Sequence, residues 1–95
     1  MKVETLTPVF VETISKDIEE GKIYISKRYG VAIHLCACGC KGKTVMDFKP
    51  LSEDGWDMIE EPDRTITFKP SVGNFNGENP YHAHYYITNN KIVWI

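Results

Sequence analysis

Apolar and polar residues alternate with a period of two along much of this chain. Ile23 and Ile25 flank Tyr24, and Ile66 and Phe68 are separated by one threonine. Alternation of this kind indicates β-strands with one face in a core, because successive side chains of a strand point to opposite faces. The pattern predicts eight strands, over residues 8–13, 22–26, 31–36, 44–48, 56–60, 65–69, 82–88 and 91–95.

Turn signals separate these runs and join several of them into hairpins. Asn89-Asn90 predicts a tight hairpin, because asparagine tolerates positive φ. Between Ser15 and Gly21, a capping serine and a stop glycine bound a segment that would form at most one or two helical turns. Residues 70–80 contain two glycines, three asparagines and two prolines, which predicts a loop. The predicted fold is therefore mainly β, a small antiparallel β domain of hairpins with at most one short helix.

The size and charge of the chain restrict the classes of protein to which it can belong. Its 95 residues are enough for one domain, over residues 1–95, with a modest core. The net charge of -2 at pH 7, without a basic stripe, disfavours nucleic-acid binding. No apolar stretch approaches the ~20 residues that span a bilayer, and the first ten residues lack the pattern of a secretory signal. We therefore expect a cytoplasmic protein that does not enter a membrane.

The three cysteines and three histidines all fall in two short clusters. The first runs from His34 to Cys40 and contains every cysteine, and the second is His82-Ala83-His84. An odd number of closely spaced cysteines gives no useful disulfide framework, whereas thiolates and imidazoles together suit zinc. We predict one zinc ion that joins the two clusters and stabilises the small domain. The predicted ligands are Cys36, Cys38, Cys40 and His84, with His82 or His34 as a replacement for one of them.

Two other interpretations of these cysteines remain open. Cysteine is among the most buried residue types, so the three thiols would in one case simply fill the core. In the other case Cys38 or Cys40 is a nucleophile that His84 activates as a base. Asp47 and Glu78 are the plausible acids near the ligand segments, and solvated charges are the simpler interpretation of both. The sequence therefore allows a zinc-binding interaction module, which we favour, or a metal-dependent or cysteine-dependent hydrolase.

Several motifs occur together in an order that resembles a known family. They are His34-x-Cys36-x-Cys38-Gly39-Cys40, Trp56, Pro70-Ser71-Val72-Gly73-Asn74, His84-Tyr85-x-Ile87 and Trp94. Over residues 10–95 the chain resembles a family of small uncharacterised bacterial and phage proteins with a domain of unknown function. The resemblance implies zinc binding. Because some members are encoded beside bacterial ubiquitin-like conjugation systems, it also implies an accessory role with a protein partner. Members of that family tend to have a cysteine where this chain has Tyr81, so the adjacent His82 is the candidate replacement.

Overall fold

The chain is built from β-strands arranged in two sheets. The computed structural model describes residues 3–39, 42–49, 53–76 and 79–95, without the side chains of residues 74–83. The strands are β1 (Thr7–Phe10), β2 (Lys22–Ser26), β3 (Val31–Leu35), β4 (Lys43–Asp47), β5 (Asp57–Glu60), β6 (Ile66–Asn76), β7 (Asn79–Thr88) and β8 (Lys91–Trp94). Neighbours in each four-stranded sheet follow chain order, β1 to β4 in one and β5 to β8 in the other. The prediction of a mainly β fold is therefore confirmed.

Residues 15–21, predicted to form a short helix, contain a bend and a turn instead. Ser15 Oγ accepts a hydrogen bond from Asp17 N–H, and Glu19 N–H donates to a tyrosine hydroxyl of β2. Side chains thus satisfy backbone donors locally, and a segment this short cannot sustain a helix by itself. Gly21 adopts a φ of 86° just before β2, a conformation that favours glycine. In the described part of the chain, no helix is long and apolar enough to cross a membrane.

The first sheet carries His34 at its centre. β1 runs parallel to β2, whereas β2, β3 and β4 are antiparallel neighbours. In β3, His34 pairs with Ile23 of β2 and with Thr44 of β4. Ala32, His34 and Cys36 alternate with their neighbours and are all buried. The first cysteine therefore continues the inward-facing row of β3 just beyond the end of the strand.

β6 and β7 form a long antiparallel ribbon in the second sheet. Val72 pairs with Tyr85 and Gly73 with His84, after a register shift that begins at Phe68. Val72 and Tyr85 are almost completely buried, at 1% and 0% exposure. Directly opposed residues of an antiparallel pair point to the same face, so this pair marks the core side of the ribbon.

The predicted loop over residues 70–80 lies largely in these two strands. β6 continues to Asn76 and β7 begins at Asn79. The prediction was wrong because the depletion of glycine and asparagine in strands is only a weak preference. A long backbone ladder against a neighbouring strand outweighs it.

The two sheets share one hydrophobic core. Ile66 and Phe68 face it, as their alternation with threonine predicted. Burying a side chain of this size contributes about 1.5–3 kcal/mol, so the core supplies the main driving force for folding. Its largest fully buried apolar side chains are Leu6, Ile23, Ile25, Met46, Ile66, Phe68, Val72, Tyr85 and Ile87.

Candidate active site

A serine and a histidine meet on the outer face of the β6–β7 ribbon. Ser71 precedes the buried Val72, and His84 precedes the buried Tyr85. Because side chains alternate along a strand, Ser71 and His84 project from the face opposite to the core. Both residues are half-buried, so solvent and a ligand can reach them.

The two side chains are within hydrogen-bond distance of each other. Ser71 Oγ lies 2.8 Å from His84 Nε2. His84 is directly opposite Gly73, which makes Ser71 its diagonal cross-strand neighbour. A hydroxyl at this distance from a neutral imidazole nitrogen can pass its proton to that nitrogen, which is how a serine becomes a nucleophile.

Backbone hydrogen bonds fix the orientation of this pair. Ile95 N–H donates to His84 O at 3.1 Å, so the peptide groups of His84 face β8 and those of Tyr85 face β6. It follows that the peptide groups of Ser71 and Gly73 face away from β7. Consistently, the indole Nε1–H of Trp56 donates to Ser71 O at 3.3 Å from the side away from β7.

A second histidine supports the ribbon from beneath. His34 Nε2 lies 2.7 Å from the hydroxyl of Tyr85, and the two rings meet edge to face. The ring of Tyr85 also packs edge to face on Trp94, with centroids 5.2 Å apart. Burial lowers the pKa of His34 from 6.5 to about 4, so the imidazole is neutral at physiological pH. This histidine holds the two sheets together and has no access to a substrate.

Comparison with known proteins places the chain in a family. The sequence model of a family described as bacterial ubiquitination-like system serine protease (BubE) matches residues 10–95. The chain belongs to the BubE family. No curated protein and no solved structure matches it. The link to bacterial ubiquitin-like systems, expected from the resemblance, is confirmed at the level of the family.

The cysteine cluster of this BubE-family chain lies after β3, on the first sheet. Cys36 is buried, Cys38 is half-buried, and their Sγ atoms are 3.3 Å apart. Cys40 lies outside the described residues, and His82 is described only by its backbone in β7. Over the described residues, no three Cys, His, Asp or Glu side chains form a group that could hold a metal. His84 contacts Ser71, on the face of the second sheet opposite to the core that contains Cys36.

Of the two acids considered from the sequence, Asp47 alone is among the described residues. Asp47 is exposed at the end of β4, and its backbone oxygen accepts a hydrogen bond from Trp56 N–H. Glu78 lies outside the described residues.

Sequence reasoning identified His84 but missed Ser71. The serine lies in a segment that was predicted to be a loop, and a single hydroxyl carries no distinctive spacing. Ser71 could have been found from the pairing of Gly73 with His84, which brings the serine next to the histidine. That pairing can be recognised only when residues 70–76 are assigned to a strand.

Proposed function

We propose that this chain is a serine protease of a bacterial ubiquitin-like system, with Ser71 as the nucleophile and His84 as its general base. The observation that carries the proposal is the 2.8 Å separation of Ser71 Oγ and His84 Nε2. The BubE family is described as a serine protease of such systems, which supports the same chemistry. Substrates of this class are ubiquitin-like proteins, precursors or conjugates whose peptide or isopeptide bond is cleaved.

The chemistry follows from the proton that the two side chains share. Ser71 Oγ attacks the carbonyl carbon of the scissile bond while its proton moves to His84 Nε2. The C–N bond then breaks, and the protonated imidazole gives the proton to the leaving amine. Water then gives a proton to the same nitrogen and attacks the acyl carbon; the acyl–Oγ bond breaks, and the imidazole returns the proton to Ser71 Oγ. Attack by Ser71 and attack by water each need His84 neutral at the start, so the tautomer with an unprotonated Nε2 is the active one.

The rigidity of the site also supports this assignment. Ser71 and His84 stand on adjacent strands of a paired ribbon, not on separate loops. The buried Val72–Tyr85 pair fixes the register immediately beside them. A nucleophile and base must be held within a fraction of an ångström of their productive geometry, and paired strands provide that better than loops.

A fluorophosphonate probe tests this function without a known substrate. It should form a covalent adduct at Ser71 of the wild-type protein, located by peptide mass spectrometry. Ser71→Ala should lose the adduct. It should also lower cleavage of a ubiquitin-like protein with a short C-terminal extension by at least about a thousandfold. Ser15→Ala, an exposed serine in the turn before β2, is the matched control and should keep both activities. Full cleavage by Ser71→Ala would disprove the assignment.

We also propose that zinc binds beside the core, through the thiolates of Cys36, Cys38 and Cys40. The 3.3 Å separation of the first two sulphurs supports this. Two thiolates on one tetrahedral zinc, each about 2.3 Å from it, would be about 3.8 Å apart. His84 is assigned to Ser71 in this scheme, so the ion is assigned no ligand from the second cluster. The ion would be structural and would stabilise the turn after β3.

A further inference from the structure

On one of its two edges, β6, the strand that carries Ser71, is paired with a neighbouring strand along only part of its length. β5 pairs with β6 from Ile66 to Lys69, and the pairing ends where Asp57 of β5 is opposite Lys69 of β6. β6 then continues through Asn76 with β7 on its other side. Among the described residues, no backbone group pairs with β6 on the β5 side beyond Lys69. As far as the described residues show, the second sheet therefore has an open edge that begins next to the nucleophile.

Gly73 offers both of its backbone hydrogen-bonding groups at this edge. The His84 carbonyl accepts from Ile95 N–H, so the directly opposed Gly73 turns its N–H and C=O away from β7. At Ser71 the outward carbonyl is already occupied by the indole of Trp56. Within the described parts of the chain, Gly73 therefore presents the unpaired donor and acceptor nearest to the serine.

We propose that the substrate binds as an added strand along this edge, with its backbone hydrogen-bonded to the N–H and C=O of Gly73. This inference rests on the proposed protease function and specifies its substrate class. Only an extended, unfolded segment can pair in this way, such as a chain terminus or flexible tail. A scissile bond inside a folded loop does not fit.

The position of Ser71 Oγ agrees with a peptide in that place. Peptide groups of an added strand lie roughly in the plane of the sheet, and the serine hydroxyl stands above that plane. A nucleophile approaches a planar carbonyl from above or below it, which is the direction from which Ser71 would attack. Gly73 has no side chain on the face where His84 stands, so nothing from β6 at that position blocks the imidazole.

The test uses a fluorogenic decapeptide that carries the C-terminal residues of a bacterial ubiquitin-like protein before the scissile bond. Analogues of it are N-methylated at one position each. An added strand bonds through alternate residues, so methylation at the position whose N–H faces the Gly73 carbonyl should lower kcat/KM by about 3- to 10-fold, and methylation at either adjacent position should leave it unchanged. Equal losses at consecutive positions, or no loss away from the scissile bond, would overturn the proposal.

Amide exchange provides a second measurement that does not depend on turnover. In Ser71→Ala, the decapeptide should slow exchange of the Gly73 amide at least about tenfold. The amides of Val72 and Tyr85, already paired in the ribbon, should not change. If binding moves the NMR signals of His84 but leaves the exchange rate of the Gly73 amide unchanged, the peptide binds elsewhere. If the Gly73 amide exchanges more slowly at higher protein concentration without the decapeptide, a second copy of the chain occupies the edge.

The substitution Gly73→Pro removes the outward N–H itself. Proline is tolerated where a strand N–H faces away from its partner, so the ribbon should still form. Cleavage of the decapeptide should fall by about tenfold, and unchanged cleavage by a folded variant would contradict the pairing. If the wild-type protein cleaves no decapeptide and takes no fluorophosphonate, the proposed protease function fails. If it does cleave and the methylation pattern is absent, only the added strand fails.

Discussion

His34 Nε2 and the Tyr85 hydroxyl share a 2.7 Å hydrogen bond in the interior, and this bond joins β3 of one sheet to β7 of the other. Both side chains are completely buried. Tyr85 is also the chain neighbour of His84, which projects from the opposite face of β7. One strand thus presents a residue that fixes the packing of the sheets and, next to it, the proposed catalytic base.

The burial of His34 predicts a stability that falls on mild acidification. Its pKa is about 4 in the folded chain, against an ordinary value of 6.5. Above pH 6.5 the imidazole is neutral in both states and has no effect. Between pH 6.5 and 4 the unfolded chain gains a proton that the folded chain does not. Over this range the free energy of unfolding should decrease by about 3 kcal/mol, as measured by denaturant unfolding at each pH.

His34→Gln provides the control for this pH dependence. The glutamine amide can still bond to the Tyr85 hydroxyl but does not titrate. The difference in unfolding free energy between wild type and variant should therefore change with pH only between 6.5 and 4. Asp63, whose pKa is lowered by hydrogen bonds from Thr65, adds acid sensitivity to both proteins and cancels in the difference. Parallel curves for the two proteins would contradict a buried neutral His34.

Tyr85→Phe should destabilise the protein more than the loss of one hydroxyl suggests. The change removes the partner of His34 Nε2, and among the described residues His34 Nδ1 already has no hydrogen-bond partner. A buried polar group without a partner costs about 1–3 kcal/mol, measurable by denaturant unfolding. Adding His34→Phe should recover part of that loss, because no unpaired imidazole then remains. A double variant as unstable as the sum of the two single variants would show that the groups do not interact.

The elements that depend on local sequence were predictable. Alternation gave the core-facing positions of β2 and β6, and the positive φ expected at Asn89 and Asn90 is observed at 50° and 68°. Asn90 adds a bond that local reasoning did not include, because its Oδ1 accepts from Ile66 N–H at 2.7 Å. The hairpin is thus held by its own turn residues and by the neighbouring strand β6.

The candidate site was predictable only in part, because it depends on register between strands. His84 was identified by its chemistry, but its partner Ser71 is thirteen residues earlier and across a register shift. Single-residue changes of register reverse the face of every side chain in a strand. No local pattern in 70–76 reveals where that shift falls, so the pairing of Ser71 with His84 needs the folded ribbon.

Trp56→Phe should weaken catalysis by releasing the backbone of Ser71. The indole Nε1–H donates to Ser71 O, and phenylalanine keeps an aromatic ring in that position without the donor. We expect hydrolysis per folded molecule to fall about 3- to 10-fold, and the unfolding free energy to fall by about 1 kcal/mol. Trp94→Phe is the matched control, because Trp94 packs on Tyr85 behind the ribbon. It should lower stability and preserve activity; equal activity losses in both variants would exclude a specific role for Trp56.

The close pair of cysteine sulphurs predicts that metal content and stability change together. Protein purified without added zinc should contain about one zinc per chain by elemental analysis, and Cys38→Ser should lose the metal and unfold at a markedly lower temperature.

His84→Gln separates the two assignments of that histidine. If His84 is the base for Ser71, this variant should keep its zinc and lose hydrolysis, whereas a ligand role would remove both. A zinc content below about a tenth of an equivalent in the wild-type protein would contradict the zinc site. The sulphurs of Cys36 and Cys38, 3.3 Å apart, would then be packed thiols without a metal.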